Sequence, residues 1–209
     1  MTLISSAKNP VATLLLAHGA GAPMDSPFME SLAAALADRG IQVVRFEFPY
    51  MQRRREEQRK FPPNRAPQLL EAFARQVASV ERSGLPLWVG GKSMGGRMAS
   101  MLAAEGASEI DGVVAFGYPF HPPGKPENTR TEHLASLAVP MLICQGERDP
   151  FGKPEEVKGY SLDEGIRVQW LEGGDHDFKP LKRSGRTQQQ LIEEAASRVL
   201  AFMQRESEA

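Results

Sequence analysis

The chain has 209 residues, 41% hydrophobic and 24% charged, which is enough apolar sequence for one domain with a sizeable core and argues against a disordered chain. Its 25 Lys and Arg nearly balance 26 Asp and Glu, and a net charge of -1 argues against a protein that binds nucleic acid or anionic membrane through its overall charge. The single Cys144 excludes an internal disulfide, no apolar run is long enough to span a bilayer, and the short run 11–17 lacks a signal-peptide layout, so a cytoplasmic location is expected.

Short apolar runs alternate with helix-compatible segments, without an internal repeat or a dividing linker, so residues 1–209 read as a single α/β domain. The run 11–17 is expected to be a buried strand ending at the loop His18-Gly19-Ala20-Gly21. Ser26 then offers an N-cap and Pro27 a first helical position, with Phe28, Leu32 and Leu36 on one face and Gly40 closing the helix. A strand is expected over 41–46, followed by a polar excursion. Pro67 starts a helix that buries Leu69, Leu70, Phe73, Val77 and Val80 and ends at Gly84. Further strands are expected over 87–89, 113–116, 141–144 and 166–171, with a last helix over about 187–204. Strands alternating with helices imply a mostly parallel sheet of about six or seven strands, covered on both faces.

The stretch around Gly91-Lys92-Ser93-Met94-Gly95 carries the chemistry. It stands between an apolar strand and a helix-compatible segment, the context of a nucleophile elbow with Ser93 at its tip. A Cβ at residue 91 or 95 would collide across such a turn, which gives both glycines a steric reason. Two competing glycine motifs fail. A phosphate-binding loop needs glycine where Pro86 stands, and a dinucleotide fingerprint opened by Gly19-Ala20-Gly21 needs it where Met24 stands. His18, Ser93, Asp149 and His176 each follow an expected strand, and reactive groups in such sheets gather beyond the strands' carboxyl ends. The chain order Ser93, Asp149, His176 is that of an α/β-hydrolase triad.

The chain resembles the α/β-hydrolases, and more narrowly their small lidless branch containing testis-expressed and NSL chromatin-complex subunits, with a dienelactone-hydrolase-like layout. The likeness rests on Gly19-Ala20-Gly21-Ala22-Pro23-Met24-Asp25, Phe48-Pro49-Tyr50-Met51, the segment 90–97, the segment 117–125, Gly146-Glu147-Arg148-Asp149-Pro150-Phe151-Gly152 and Gly174-Asp175-His176-Asp177. It implies the α/β-hydrolase fold but no substrate. In the turn after residue 144, Glu147 competes with Asp149 as the acid, and the family turn favours Asp149.

Chemically, Ser93 needs His176 as a base, and His176 needs Asp149 to fix its tautomer. The N–H groups of Met94 and Ala20 are the expected oxyanion donors, with Gly19 or Gly21 as substitutes for Ala20. His176 between Asp175 and Asp177 also reads as a polar capped turn. His18 is expected to shape its loop, His121 and His133 to line substrate or serve structure, and Cys144 to be a buried small hydrophobe. The proline-rich segment Tyr118-Pro119-Phe120-His121-Pro122-Pro123 is too short and stiff for a helical lid, so an open site is expected, with Tyr118 and Phe120 either forming an apolar wall or, as often for aromatics after a strand, serving as core residues.

The mixed-sign run 53–60 reads first as an exposed helical face. A sharper reading has Arg53, Arg54 or Lys92 recruiting a carboxylate or phosphate on the substrate. The expected activity is hydrolysis of a small ester, thioester or related acyl compound through an acyl-enzyme, with a small-molecule acyl substrate as partner and no metal, cofactor, nucleic acid or membrane. A hydrolase-like interaction module, and a peptidase or C–C hydrolase using the same triad, are the alternatives. Oligomeric state stays open.

Overall fold

The computed structural model describes residues 2–81, 84–106 and 109–208. Apolar β-formers supply β2 (Ala12–Ala17), β3 (Ile41–Phe46), β4 (Leu87–Lys92), β5 (Gly112–Phe116), β6 (Met141–Gly146) and β7 (Ile166–Leu171), and a short β1 (Thr2–Ser5) precedes them. Together they form one seven-stranded sheet in the order β1-β3-β2-β4-β5-β6-β7. Only β1 runs antiparallel, against β3. This strand escaped the sequence reading because Thr2-Leu3-Ile4-Ser5 lies on the sheet edge, nowhere fully buried, and has no long apolar run to announce it.

Strands β2, β4, β5 and β6 are buried along their whole length, as expected of parallel strands covered on both faces. Alternation along β2 sends Leu14 and Leu16 to one core and Leu15 to the other. On the Leu14 side lie α1 (Pro27–Ala37) and α6 (Gln188–Glu208), which bring Leu32, Leu36, Leu191 and Val199 against Trp88, Val114 and Phe116. On the Leu15 side, α3 (Ala66–Ser79) and α4 (Met94–Ala104) bring Phe73, Met98 and Leu102 against Val89, Ala115 and Ile143.

One helix is shorter than expected and another is not expected at all. Helix α3 stops at Ser79, short of Gly84, where Val80 turns to extended backbone while still packing on the core. The polar excursion contains α2 (Pro49–Glu57), which buries only Tyr50 and Met51 and therefore has almost no apolar periodicity to read. Ser26 stands at the start of α1 in extended conformation, but its side chain makes no capping hydrogen bond. A four-residue helix, α5 (Pro154–Val157), completes the set.

Because β2 to β7 are parallel, their carboxyl ends meet at one rim. Between β5 and β6 the chain forms only the 3-10 turn Glu132–Ser136, and no lid domain stands over that rim among the described residues. No helix among the described residues is long and apolar enough to cross a membrane.

Candidate active site

Ser93 joins β4 to α4 with φ 52° and ψ -115°, a region that residues bearing a Cβ rarely adopt. The neighbouring glycines make this turn possible. A Cβ on Gly91 would lie 2.5 Å from the Gly95 carbonyl carbon and 2.7 Å from the Ala17 oxygen, and one on Gly95 would lie 2.6 Å from that same oxygen. All of these are backbone atoms, which cannot swing aside. Gly95→Ala is therefore expected to cost at least about 1–3 kcal/mol, and the melting temperature should fall by about 2–4 °C for each kcal/mol. Thermal denaturation measures it directly.

From the far side of the rim comes the loop after β7. Gly146 lets it approach, since a Cβ there would lie 2.4 Å from the carbonyl oxygens of Gly174 and Asp175. Asp175 does cap this turn, its Oδ1 accepting from the N–H groups of Asp177 and Lys179 at 2.9 Å each. The capped turn presents His176 toward Ser93.

His176 Nε2 lies 3.0 Å from Ser93 Oγ, and Nδ1 lies 2.7 Å from Asp149 Oδ2. The other Asp149 oxygen accepts the Phe151 N–H at 2.9 Å, so a carboxylate with 0% exposure has both oxygens engaged. Phe151 also packs its ring against that of His176, with centroids 4.4 Å apart. Glu147 points elsewhere and accepts from the Gly173 N–H. Ser93, His176 and Asp149 therefore form one hydrogen-bonded line.

The two backbone segments expected to supply oxyanion donors are the start of α4, next to Ser93, and the loop 18–21. Met94 begins α4, and the first N–H groups of a helix have no intrahelical partner. Ala20 is oriented through its neighbours. The Gly19 carbonyl accepts from His18 Nδ1 at 2.7 Å and faces the Tyr50 hydroxyl at 3.3 Å, while the Ala20 carbonyl faces that hydroxyl at 3.0 Å. In a trans peptide the C=O and the following N–H point in opposite directions. Holding these carbonyls toward buried Tyr50 turns the N–H groups of Ala20 and Gly21 the other way. His18 accepts the Phe48 N–H on Nε2, and burial lowers its pKa, as suits a neutral ring that braces the loop.

Ala20 and Ser93 both border a cleft of about 370 Å³, lined by residues 19–22, Ser26, Phe28, Met29, Lys92, Ser93, Phe151, His176 and Asp177. Among the described residues no cluster of three or more His, Cys, Asp or Glu is arranged to hold a metal ion.

A family described as alpha/beta hydrolase domain matches residues 10–204. The chain belongs to that family. Its fold is similar to an alpha-beta serine hydrolase homologue from Coxiella burnetii, with TM-score 0.73 and 21% identity over 94% of this chain and 90% of that one. The dienelactone hydrolase from Anabaena variabilis gives TM-score 0.72 and 18% identity over 98% and 90% of the two chains. A lidless serine hydrolase from Xanthomonas campestris gives 0.64 and 20% over 94% and 88%.

Several nominated residues of this alpha/beta hydrolase domain lie away from the cleft. Tyr118 and Phe120 do not form its wall. Both are fully buried and pack edge to face in the core with Leu134, because the chain leaving β5 turns down onto the α4 side of the sheet. The apolar wall consists of Phe28 and Phe151 instead. His121 is also buried outside the cleft, bonded to the Pro122 carbonyl and to Glu156, and so ties its segment to α5. Arg53 pairs with Glu57 and stacks on Phe61, while Arg54 is spent on the carbonyls of Phe61 and Ala20. Of the three proposed anion receptors only Lys92 lines the cleft.

The hydrolase domain contains a second serine–histidine contact, Ser100 Oγ to His133 Nε2 at 2.8 Å. Ser100 is buried inside α4 and bonds to the Arg97 carbonyl, and burial brings the His133 pKa down to about 4, so this pair fastens α4 to the segment before β6. Cys144 is buried within β6, its thiol pushed up to about 12, and is unsuited to nucleophilic work. Tyr50, Phe28 and Phe151 were missed as site residues.

Proposed function

We propose that the protein is a lidless serine hydrolase that cleaves a small ester, thioester or related acyl compound through an acyl-enzyme on Ser93. The observation that carries this reading is the continuous line from Asp149 through His176 to Ser93 at the floor of an open cleft. Ser93 Oγ attacks the carbonyl carbon as its proton passes to His176 Nε2. Negative charge then gathers on the carbonyl oxygen, where the N–H groups of Met94 and Ala20 receive it. Collapse expels the leaving group, which takes the proton from His176. Water repeats the sequence on the acyl-enzyme and frees Ser93. Asp149 remains a carboxylate throughout, holding Nδ1–H and stabilising the transient imidazolium.

The family match and the dienelactone-hydrolase-like neighbours support hydrolysis as the chemistry, and the small unlidded cleft supports a small substrate. A panel of p-nitrophenyl esters graded in acyl length tests it, with turnover expected for the shorter members. Failure of every ester with folded protein would favour an interaction module, the reading that the motif likeness to NSL chromatin-complex subunits suggests.

The bracing of the Gly19–Ala20 peptide adds a graded prediction. Burial raises the Tyr50 pKa, so the hydroxyl stays protonated and able to donate. Removing an oxyanion donor outright costs about 10²- to 10³-fold, and Tyr50→Phe only loosens one, so kcat should fall about 10-fold with KM little changed. Steady-state kinetics on one ester separates the two constants, and an unchanged kcat would remove Tyr50 from the account.

A further inference from the structure

Lys92 is the only Lys or Arg among the described residues lining the cleft. Its side chain is 8% exposed, and the carboxylate facing it, Asp177, is 51% exposed. The Nζ–Oδ1 distance is 3.4 Å, longer than the 2.7–2.9 Å typical of a charge-assisted hydrogen bond. Asp177 is also shared, its other oxygen lying 3.9 Å from Lys179 Nζ. A buried ammonium has three protons to place and a large desolvation cost to offset, and one long contact to a half-hydrated carboxylate does neither fully. Burial accordingly pulls the Lys92 pKa down, opposed by the charges of Asp177, Asp149 and Asp175.

The ammonium's place is defined by its neighbours. It lies 5.5 Å from the Phe28 ring centroid, against the apolar wall. At Gly117 a Cβ would stand 3.2 Å from both Lys92 Nζ and His176 Nδ1, so glycine leaves room for the two side by side. Nδ1 is the nitrogen turned to Asp149, whereas Nε2 faces Ser93 and would hand the proton to the leaving group. Lys92 therefore sits on the Nδ1 side of the imidazole, away from Nε2 and the departing alcohol or thiol, so a substrate carboxylate that reaches it belongs to the acyl half rather than to the leaving group.

We propose that Lys92 receives a carboxylate on the acyl half of the substrate, so that the cleft selects monoesters or monothioesters of dicarboxylic acids over neutral acyl compounds. Asp177 holds the ammonium until substrate arrives and then yields it, swinging into water that already reaches half of its surface. This assignment rests on the Ser93 hydrolase reading and names its substrate class.

The roles of Lys92 and Asp177 predict opposite effects. The mono-p-nitrophenyl ester of glutaric acid and p-nitrophenyl pentanoate share chain length and leaving group and differ in the terminal carboxylate. Wild type is expected to favour the glutarate ester in kcat/KM. Lys92→Met should lose about 10- to 100-fold more on that ester than on the pentanoate, the size of a charge-assisted hydrogen bond. Asp177→Asn should raise the preference for glutarate several-fold by removing the competing anion. Equal treatment of both esters by wild type, equal losses on both in Lys92→Met, or a reduced glutarate preference in Asp177→Asn would overturn the proposal. If neither ester turns over, the hydrolase reading fails separately. Glutarate itself, titrated calorimetrically into wild type and Lys92→Met, reads the same contact without catalysis: binding that Lys92→Met abolishes supports it, and no binding to wild type overturns it.

Discussion

Ser93→Ala is expected to lower kcat by about 10⁴- to 10⁶-fold with the fold intact, the scale seen when the nucleophile of a serine triad is removed. Only the hydroxyl is lost, so the Cβ, the turn and the N–H to Phe116 carbonyl bond at 3.0 Å all remain. A companion substitution separates chemistry from stability. Because Ser93 holds a positive φ of 52°, Ser93→Gly should be as inactive as Ser93→Ala yet melt higher. Strain of this kind is worth about 1–3 kcal/mol, against roughly 0.5–1 kcal/mol for glycine's extra freedom in the unfolded chain. A glycine variant less stable than the alanine variant would show that the elbow is not strained.

Asp149→Asn is expected to cost about 10⁴-fold in kcat, with little change in KM, and the reason lies in a count of acceptors. Both carboxylate oxygens of Asp149 accept, one from the Phe151 N–H and the other from His176 Nδ1. Asparagine has one acceptor oxygen and one donor group. The Phe151 N–H belongs to the backbone and cannot reverse its role, so the amide NH₂ is turned toward His176. Nδ1 must then accept, the proton moves to Nε2, and the ring can no longer take one from Ser93. Near-normal binding of substrate with collapsed turnover is the expected signature. A loss below about tenfold would mean that Asp149 does not set the tautomer.

The sequence is most legible where backbone sterics leave one choice. Gly91 and Gly95 are required by the Ala17 and Gly95 backbone itself, so an elbow can be read from glycine spacing after an apolar run. The central strands are legible for a related reason, since full burial on both faces demands continuous apolar runs. Parallel order then brings residues as far apart as Ser93 and His176 to one rim. Elements without an apolar signature stay hidden, as β1 and α2 show.

Side-chain direction is a different matter. Tyr118 and Phe120 follow β5 much as Phe151 follows β6, and nothing local distinguishes the pair that turns into the core from the ring that stacks on His176. The bracing by Tyr50 depends on a loop 30 residues earlier in the chain folding back against α2, a contact with no sequence period. Lys92 was legible as a nearby cation, but its burial and its unequal pairing with Asp177 required the packed cleft.

Labelling with a fluorophosphonate tests the central claim most directly, because the probe reacts only with a serine whose proton is removed as it attacks. Intact folded protein should take up one equivalent, mapped by peptide mass spectrometry to Ser93, with none on Ser93→Ala and none after denaturation. Absence of label on folded protein, or label on Ser100 beside His133 instead, would contradict the assignment of Ser93, His176 and Asp149 as the working groups.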